Sequence, residues 1–291
     1  MIVIRVWNGL GNQLFQYAYA RYLSEHSENQ VLLENERWKR DKIIGEDLQT
    51  DRKYSLCYFR ISLPCVPMTE MERWRYIENA TCKDKLLNCC NKLGIEKNLL
   101  QYEDDIKSLT SKKFNYRNYY IIGIFQTLKF LQSMRQILLQ ELQLKKELNL
   151  SESINTILKE REVVAVHIRR GDYLTVQYLR SSVKRIINRN YYGKAIEYIA
   201  DRVTKPVFFF FSDDSQWVKQ NISCKYEHYY VDELHLKDYE ELVLMSKCKH
   251  HIIANSTFSF WGAWLCQNIN QIVIAPTEMN KELLLHEWKI M

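Results

Sequence analysis

Apolar residues occur along this chain in short continuous runs, each followed by turn-forming or polar residues. Runs of this length and composition are typical of parallel strands buried on both faces. Between them, a spacing of apolar residues near 3.6 indicates helices. The predicted strands are 2–7, 31–33, 119–126, 163–168, 207–211, 250–254 and 272–276, and the clearest helices are 14–23, 128–144 and 238–247. This alternation predicts an α/β fold with mostly parallel sheets.

The pattern divides the chain into two halves. Residues 1–155 open with a strand, a glycine turn and a helix, the first unit of a Rossmann-like domain. From about 35 to 118 the pattern is irregular, Pro64 and Pro67 interrupt any long element, and we interpret the region as an insertion of loops that shape a pocket. Residues 156–291 predict a second Rossmann-like domain.

Two consecutive arginines, Arg169 and Arg170, follow the strand 163–168 directly. Open α/β sheets place their ligands beyond the carboxyl ends of their strands, and a guanidinium matches the geometry of a phosphate well. These residues therefore favour a diphosphate site. A pair of arginines bound to carboxylates on a surface turn is the structural alternative, and the residues alone leave both open.

Three other clusters lie at predicted strand ends, and each has an ordinary structural use. The turn with Gly9, Gly11, Asn12 and Gln13 opens a helix, whose amino terminus offers free N–H groups to a ligand. Asp213 and Asp214 follow a strand and are able to cap a helix or to accept from a base or ribose. Asn255, Ser256 and Thr257 are good N-cap residues that would also aim N–H and hydroxyl groups at a phosphate.

Composition narrows the classes of partner. The net charge of +6 fits an anionic small-molecule substrate or weak peripheral contact with an acidic membrane face, whereas the lack of a long Lys/Arg block argues against nucleic acid. The start is too short and too polar for a signal peptide or membrane span, so we expect a cytoplasmic chain, with the inner membrane as a peripheral contact. The eight cysteines contain no Cys-x-x-Cys pair that would indicate zinc.

Four stretches together resemble the α-1,2-fucosyltransferase family. They read GLGNQLFQYA at 9–18, HIRRGDY at 167–173, FSDD at 211–214 and NSTFSFWGAW at 255–264, with a weaker fifth around Gly123, Phe125 and Gln126. Phe260 stands where such proteins usually have tryptophan, and the tail after Pro276 departs from their pattern. We expect no N-terminal membrane anchor, and in this respect the chain resembles the bacterial members, which build surface glycans such as O-antigen.

The resemblance implies a GT-B-like fold of two facing Rossmann-like domains, the first on the acceptor side and the second holding GDP-L-fucose. It implies inverting transfer of fucose to the 2-hydroxyl of a terminal galactose on an oligosaccharide or polysaccharide. The alternatives are a transferase with another GDP-sugar or linkage, and a non-catalytic protein that binds nucleotide sugars or glycans. No cofactor is implied, because GDP-fucose is a substrate.

Roles also follow from the resemblance. Arg169 would contact the diphosphate and Arg170 would support it, while His167 and one of Asp213 and Asp214 would contact guanosine. Ser256 or Thr257, beside Asn255, would bind phosphate, and the turn from Gly9 to Gln13 would lie across the cleft against the nucleotide. The sequence contains no Asp-x-Asp triplet, which predicts charge stabilisation without metal. Asp172 is either the catalytic base or a residue that positions the arginines.

Overall fold

The computed structural model describes residues 1–35, 53–66, 98–102, 118–171 and 189–291. Its contacts group into two compact units, Met1–Gln143 and Leu144–Met291. Residues 144–155, which the sequence-based division assigns to the first domain, lie in the second unit, because Leu148, Leu150 and Ile154 pack in one of its hydrophobic clusters. Most of the predicted loop insertion at 35–118 lies outside the described residues.

The first unit contains a four-stranded parallel sheet. Its elements are β1 (Ile2–Arg5), α1 (Leu10–His26), β2 (Val31–Glu34), β3 (Asn98–Tyr102), β4 (Asn118–Ile122) and α2 (Leu131–Glu141). The strand order is β2-β1-β4-β3, and all three pairings are parallel. After β1 the chain first adds β2 on one side of it and later adds β4 on its other side. In open α/β sheets, ligands generally bind where the direction of winding changes, which in this sheet is beyond the carboxyl ends of β1 and β4.

The second unit contains a six-stranded parallel sheet in the order β10-β9-β8-β5-β6-β7. This is the doubly wound Rossmann order, and the direction of winding reverses between β5 and β8. The strands are β5 (Glu162–Ile168), β6 (Pro206–Ser212), β7 (His228–Tyr230), β8 (His250–Ile252), β9 (Val273–Ala275) and β10 (Lys289–Ile290). The helices are α3 (Glu152–Glu160), α4 (Arg189–Ala200), α5 (Ser215–Asn221), α6 (Asp238–Lys247) and α7 (Thr257–Leu265).

The two central strands of this sheet are buried on both faces, as their continuous apolar sequences predict. One face of β5 and β6 contributes Val164 and Phe208 to a cluster with α4, and the other contributes Val163 and Phe209 to a cluster with α3 and α6. In the part of the chain that the structure describes, no helix is long and apolar enough to cross a membrane.

Helices α6 and α7 pack closely at Gly262. A Cβ atom added to this glycine would lie 2.6 Å from Met245 Cγ and closer still to its Sδ. The two helices contact at this distance because Gly262 has no side chain. This packing fixes the position of α7, whose amino terminus follows β8 at the edge where the winding reverses.

Candidate functional site

The carboxylate of Asp213 binds the backbone of the loop that follows β5. Asp213, at the end of the neighbouring strand β6, accepts hydrogen bonds from the backbone N–H groups of Arg170 (2.8 Å) and Gly171 (2.9 Å). The same carboxylate forms an ion pair with Arg169, with Nη1 2.9 Å from Oδ2. A Cβ on Gly171 would lie 2.7 Å from Asp213 Oδ2, so any larger residue here would displace the carboxylate.

The two arginines have different surroundings. Arg170 forms an ion pair with Asp214 at 2.6 Å, and its guanidinium carbon lies 4.0 Å from the ring centroid of Trp217 on α5. Its side chain is 14% exposed, whereas that of Arg169 is 31% exposed. Stacking and pairing therefore hold Arg170 within the protein, while Arg169 remains accessible to a ligand.

The side chain of His167 is buried at the end of β5. It is 5% exposed, its ring centroid lies 5.6 Å from that of Phe258, and Tyr192 donates a hydrogen bond to its carbonyl oxygen at 3.2 Å. Burial, with a smaller effect of nearby Arg169, lowers the pKa of His167 to about 3, so the ring is neutral at physiological pH. Among the described residues, its buried Nδ1 has no hydrogen-bond partner, which is unusual for a buried polar atom.

The amino terminus of α7 lies at the end of β8, the strand beside β5. Ser256 is the N-cap, and its hydroxyl accepts from the backbone N–H of Phe258 at 3.3 Å. Asn255 precedes the cap, and Thr257 is the first residue of the helix. The structure thus brings the arginine loop and a helix amino terminus, two sources of positive potential, to the ends of adjacent strands.

Asp214 is the N-cap of α5, since its Oδ1 accepts from the backbone N–H of Trp217 at 3.1 Å. Its other oxygen binds Arg170, and Asp213 binds the arginine loop. Both carboxylates are thus engaged with protein groups, and the contact of one of them with guanosine remains a prediction. Sequence reasoning missed that Asp213 positions the arginine loop and that Trp217 stacks on Arg170. Only the capping position of the aspartates was visible in the sequence.

The carboxyl edge of the sheet near β6 and β7 is acidic. Burial, followed by the charges of Asp238, Asp232 and Asp213, raises the pKa of Glu241 to about 7. The positive charges of Arg169 and Arg170 therefore stand beside a group of carboxylates. An anionic ligand at Arg169 has to compete with Asp213 or share the guanidinium with it.

In the first unit, the glycine turn is built around a buried amide. Gly9 is the N-cap of α1, Gly11 is buried inside the helix, and Asn8 adopts a left-handed φ of 72°. Gln13 is fully buried; its Nε2 donates to the carbonyl oxygens of Asn8 and Lys53, both at 2.9 Å, and its Oε1 accepts from the N–H of Ser55 at 3.0 Å. These contacts give Gln13 a positioning role within the protein.

Gln16 and Gln126 also hold this end of the first sheet, and sequence reasoning did not single out Gln16. Its Oε1 accepts from the N–H of Trp7 at 2.9 Å, and its Nε2 donates to the carbonyl of Gly123 at 3.0 Å. One side chain therefore connects the ends of β1 and β4. Beside it, Gln126 Nε2 donates to Asn12 Oδ1 at 3.0 Å.

Two sequence predictions are not tested by these contacts. Asp172, the candidate base, lies outside the described residues. Among the described residues, no group of three or more His, Cys, Asp or Glu side chains could hold a metal ion. The expectation of chemistry without metal remains a prediction.

Comparison with known proteins supplies independent evidence. Residues 83–289 match the family model for glycosyl transferase family 11. The O-antigen biosynthesis glycosyltransferase WbnK of Escherichia coli is 31% identical over 281 residues, which cover 92% of this chain and 91% of that protein. An α-1,2-colitosyltransferase of Escherichia coli is 29% identical over 291 residues, covering 95% and 91%. The galactoside α-(1,2)-fucosyltransferase 1 of Saimiri boliviensis boliviensis is 31% identical over 109 residues, covering 37% and 30%.

Solved structures support the fold. The fucosyltransferase NodZ from Bradyrhizobium aligns with a TM-score of 0.50 and 12% identity, covering 90% of this chain and 91% of that one. Arabidopsis thaliana FUT1 in complex with GDP aligns with a TM-score of 0.51 and 9% identity, covering 94% and 69%. The predicted GT-B-like, two-domain α/β fold is thereby confirmed.

Proposed function

The chain belongs to glycosyltransferase family 11, and we propose that it transfers L-fucose from GDP-β-L-fucose to the 2-hydroxyl of a terminal galactose. The acceptor is an oligosaccharide or polysaccharide unit of a bacterial surface glycan. The proposed transfer inverts the anomeric centre and needs no metal. The observation that carries the proposal is the position of Arg169, which is accessible at the strand end where the winding of the Rossmann sheet reverses.

The diphosphate is the part of the donor that this site is best suited to bind. During transfer, the bond between C1 of fucose and the β-phosphate oxygen breaks while the acceptor oxygen bonds to C1, and GDP leaves with the electron pair. Negative charge therefore grows on the diphosphate, and fixed positive groups stabilise it. Arg169 and the amino terminus of α7, capped by Ser256, would supply this stabilisation.

The guanosine moiety would lie against His167. A neutral imidazole carries one donor and one acceptor nitrogen, and the Nδ1 of His167, which has no partner in the part of the chain that the structure describes, would take a hydrogen bond with the base. Arg170 and Asp214 would act indirectly, because their mutual ion pair and the stacking on Trp217 keep the loop in place. Asp213 would position Arg169 through the three contacts described above.

The acceptor hydroxyl must lose a proton, and we propose Asp172 as its recipient or, failing that, as a partner of the arginines. The variant Asp172→Asn separates these roles. A general base contributes about 100-fold to 10,000-fold to the rate, so a loss of kcat in this range with unchanged GDP affinity would support a base. Near-normal kcat would exclude it.

The α-1,2-colitosyltransferase relative favours one alternative, a transferase that uses a different GDP-linked deoxysugar. Incubation with GDP-fucose or GDP-colitose and a panel of β-galactosides, followed by linkage analysis, tests both. We expect an α-1,2-fucosylated product, and its loss in Arg169→Ala but not in Arg161→Ala. Arg161 is a matched control because it forms an exposed ion pair with Glu227 just before β5. Transfer from GDP-colitose alone, or a different linkage, would overturn the proposal.

A further inference from the structure

A pair of side-chain amides lies at the end of the first sheet. Asn12 is in the first turn of α1, and Gln126 follows β4 by a few residues. Gln126 Nε2 donates to Asn12 Oδ1 at 3.0 Å, which orients both amides. We propose that this pair binds two neighbouring hydroxyl groups of the acceptor sugar. The inference rests on the proposed function and names the residues through which that function selects its acceptor.

The amide pair has hydrogen-bonding capacity to spare. Each amide carries one acceptor oxygen and an NH₂ group with two donors, and the mutual bond uses one donor of Gln126 and one lone pair of Asn12. Asn12 Nδ2 and Gln126 Oε1 form no further hydrogen bond within the described residues, and neither is among the buried unpartnered atoms. The pair therefore presents a donor and an acceptor side by side at a partly open surface.

The backbone around Gln126 forms a strained turn with this residue at its centre. Phe125 has a left-handed φ of 57°, and the N–H of Thr127 donates to the Phe125 carbonyl at 2.9 Å, which places Gln126 at the centre of a three-residue turn. The Phe125 ring is buried 4.4 Å from that of Tyr19. Non-glycine residues in this conformation cost free energy, and such strain is concentrated at functional sites.

The chemistry of the pair favours hydroxyl groups over phosphate. A phosphate oxygen only accepts, so it would be repelled by the carbonyl oxygen Gln126 Oε1, whereas a sugar hydroxyl both donates and accepts. Two adjacent hydroxyls of a pyranose are able to accept from Asn12 Nδ2 and donate to Gln126 Oε1. The pair also belongs to the first unit, whereas Arg169 and Ser256, the groups proposed to bind the donor, belong to the second. The hydroxyls are therefore assigned to the acceptor, whereas the sequence-based prediction places Asn12 with the donor, and that prediction stays untested.

The variant Gln126→Leu tests the assignment in steady-state kinetics with GDP-fucose and a β-galactoside. Loss of one or two neutral hydrogen bonds corresponds to roughly a tenfold increase in acceptor KM, with the KM for GDP-fucose and acceptor-independent hydrolysis of GDP-fucose unchanged. Asn12→Asp, which keeps the accepting oxygen but removes the donor, should give a similar increase. Gln136→Leu, the same substitution at an exposed position of α2, is the control and should leave both KM values unchanged.

Deoxygalactosides lacking the 3-, 4- or 6-hydroxyl distinguish a direct contact from a structural effect. With the wild-type protein, one of these deoxygalactosides should have a kcat/KM about tenfold below that of the parent galactoside. With Gln126→Leu, the same deoxygalactoside should show little further decrease in kcat/KM. An unchanged acceptor KM in the variant, or additive losses with every deoxygalactoside, would overturn the assignment. A raised KM for GDP-fucose would show that the hydroxyls belong to the donor sugar. No product from the wild-type protein with any galactoside would instead refute the proposed function and, with it, this inference.

Discussion

The variant Asp213→Asn tests how the arginine loop is positioned. The carboxylate of Asp213 accepts from two backbone N–H groups and from the guanidinium of Arg169. Asparagine keeps one accepting oxygen, and its NH₂ group faces donors that it is unable to satisfy. With its oxygen in the place of Oδ2, the variant keeps the contacts to Gly171 and Arg169 but loses the contact to the Arg170 N–H and the charge that pairs with Arg169. The shape of the side chain is unchanged, so the effect isolates hydrogen bonding and charge.

The expected magnitude follows from the exposure of the partners. Hydrogen bonds to charged groups contribute about 1.5–3 kcal/mol each, and the side chains of Asp213 and Arg169 are 23% and 31% exposed, which favours the lower limit. Loss of the Arg170 contact and of the charge in the Arg169 pair, at about 1.5 kcal/mol each, amounts to about 3 kcal/mol, or roughly 150-fold in affinity. We expect this loss in the Kd of GDP by calorimetry and in kcat/KM for GDP-fucose.

Asp214→Asn is the matched comparison, because it removes the same charge one residue away. Asp214 caps α5 and binds Arg170, but it does not hold the backbone of the loop. We expect a lower Tm from the weakened cap and a smaller loss of GDP affinity than in Asp213→Asn. A properly folded Asp213→Asn protein that binds GDP within threefold of the wild type would refute the argument, as would a larger loss in Asp214→Asn.

Three other outcomes follow from the site. Gly171→Ala places a Cβ 2.7 Å from Asp213 Oδ2, so we expect GDP affinity to fall at least tenfold with little change in Tm, whereas Gly193→Ala, which meets nothing within 4 Å, serves as the control. Burial lowers the pKa of His167 to about 3 and that of His251 to about 4, below the value near 6.5 in the unfolded chain. The contribution of these neutral histidines to the stability of the fold is therefore complete above pH 6.5 and is lost as the pH falls. As the pH falls from 6.5 to 4, each histidine should lower the free energy of unfolding by about 1.4 kcal/mol per pH unit, measured by urea denaturation. A free energy of unfolding that does not change over this pH range would contradict the pKa shifts. Transfer should survive EDTA, and activity that vanished with chelator and returned with manganese would refute a metal-independent reaction.

The strands were the most predictable part of the molecule, for a physical reason. A strand buried on both faces needs apolar residues at every position, so 163–168 and 207–211 could be located without any long-range information. The domain boundary was less visible, because no glycine- or proline-rich linker separates the units. Residues 144–155 contain polar and apolar positions that fit either half, and only their packing assigns them to the second unit.

Contacts distant in sequence explain what could not be predicted at the site. Asp213 at a strand end satisfies the local rule for a cap, but its partners lie 42 and 43 residues earlier in the chain. Gln13 and Gln16 are polar residues in a helix, a pattern that indicates exposure, yet both are fully buried. They are buried because the ends of β1 and β4 have backbone groups that need partners, and a glutamine amide supplies both a donor and an acceptor.

The strand order of the second sheet also has a consequence for biosynthesis. Val164 of β5 pairs with His250 of β8, so one edge of the central strand remains unpaired until most of the unit has left the ribosome. During that interval the strand Pro206–Ser212, with four consecutive phenylalanines, lacks the full set of helices that cover it. Parallel pairings between distant segments form slowly, and exposed apolar strands associate with one another. We therefore expect chaperone capture of the nascent chain, rather than greater native stability, to raise the yield of folded protein.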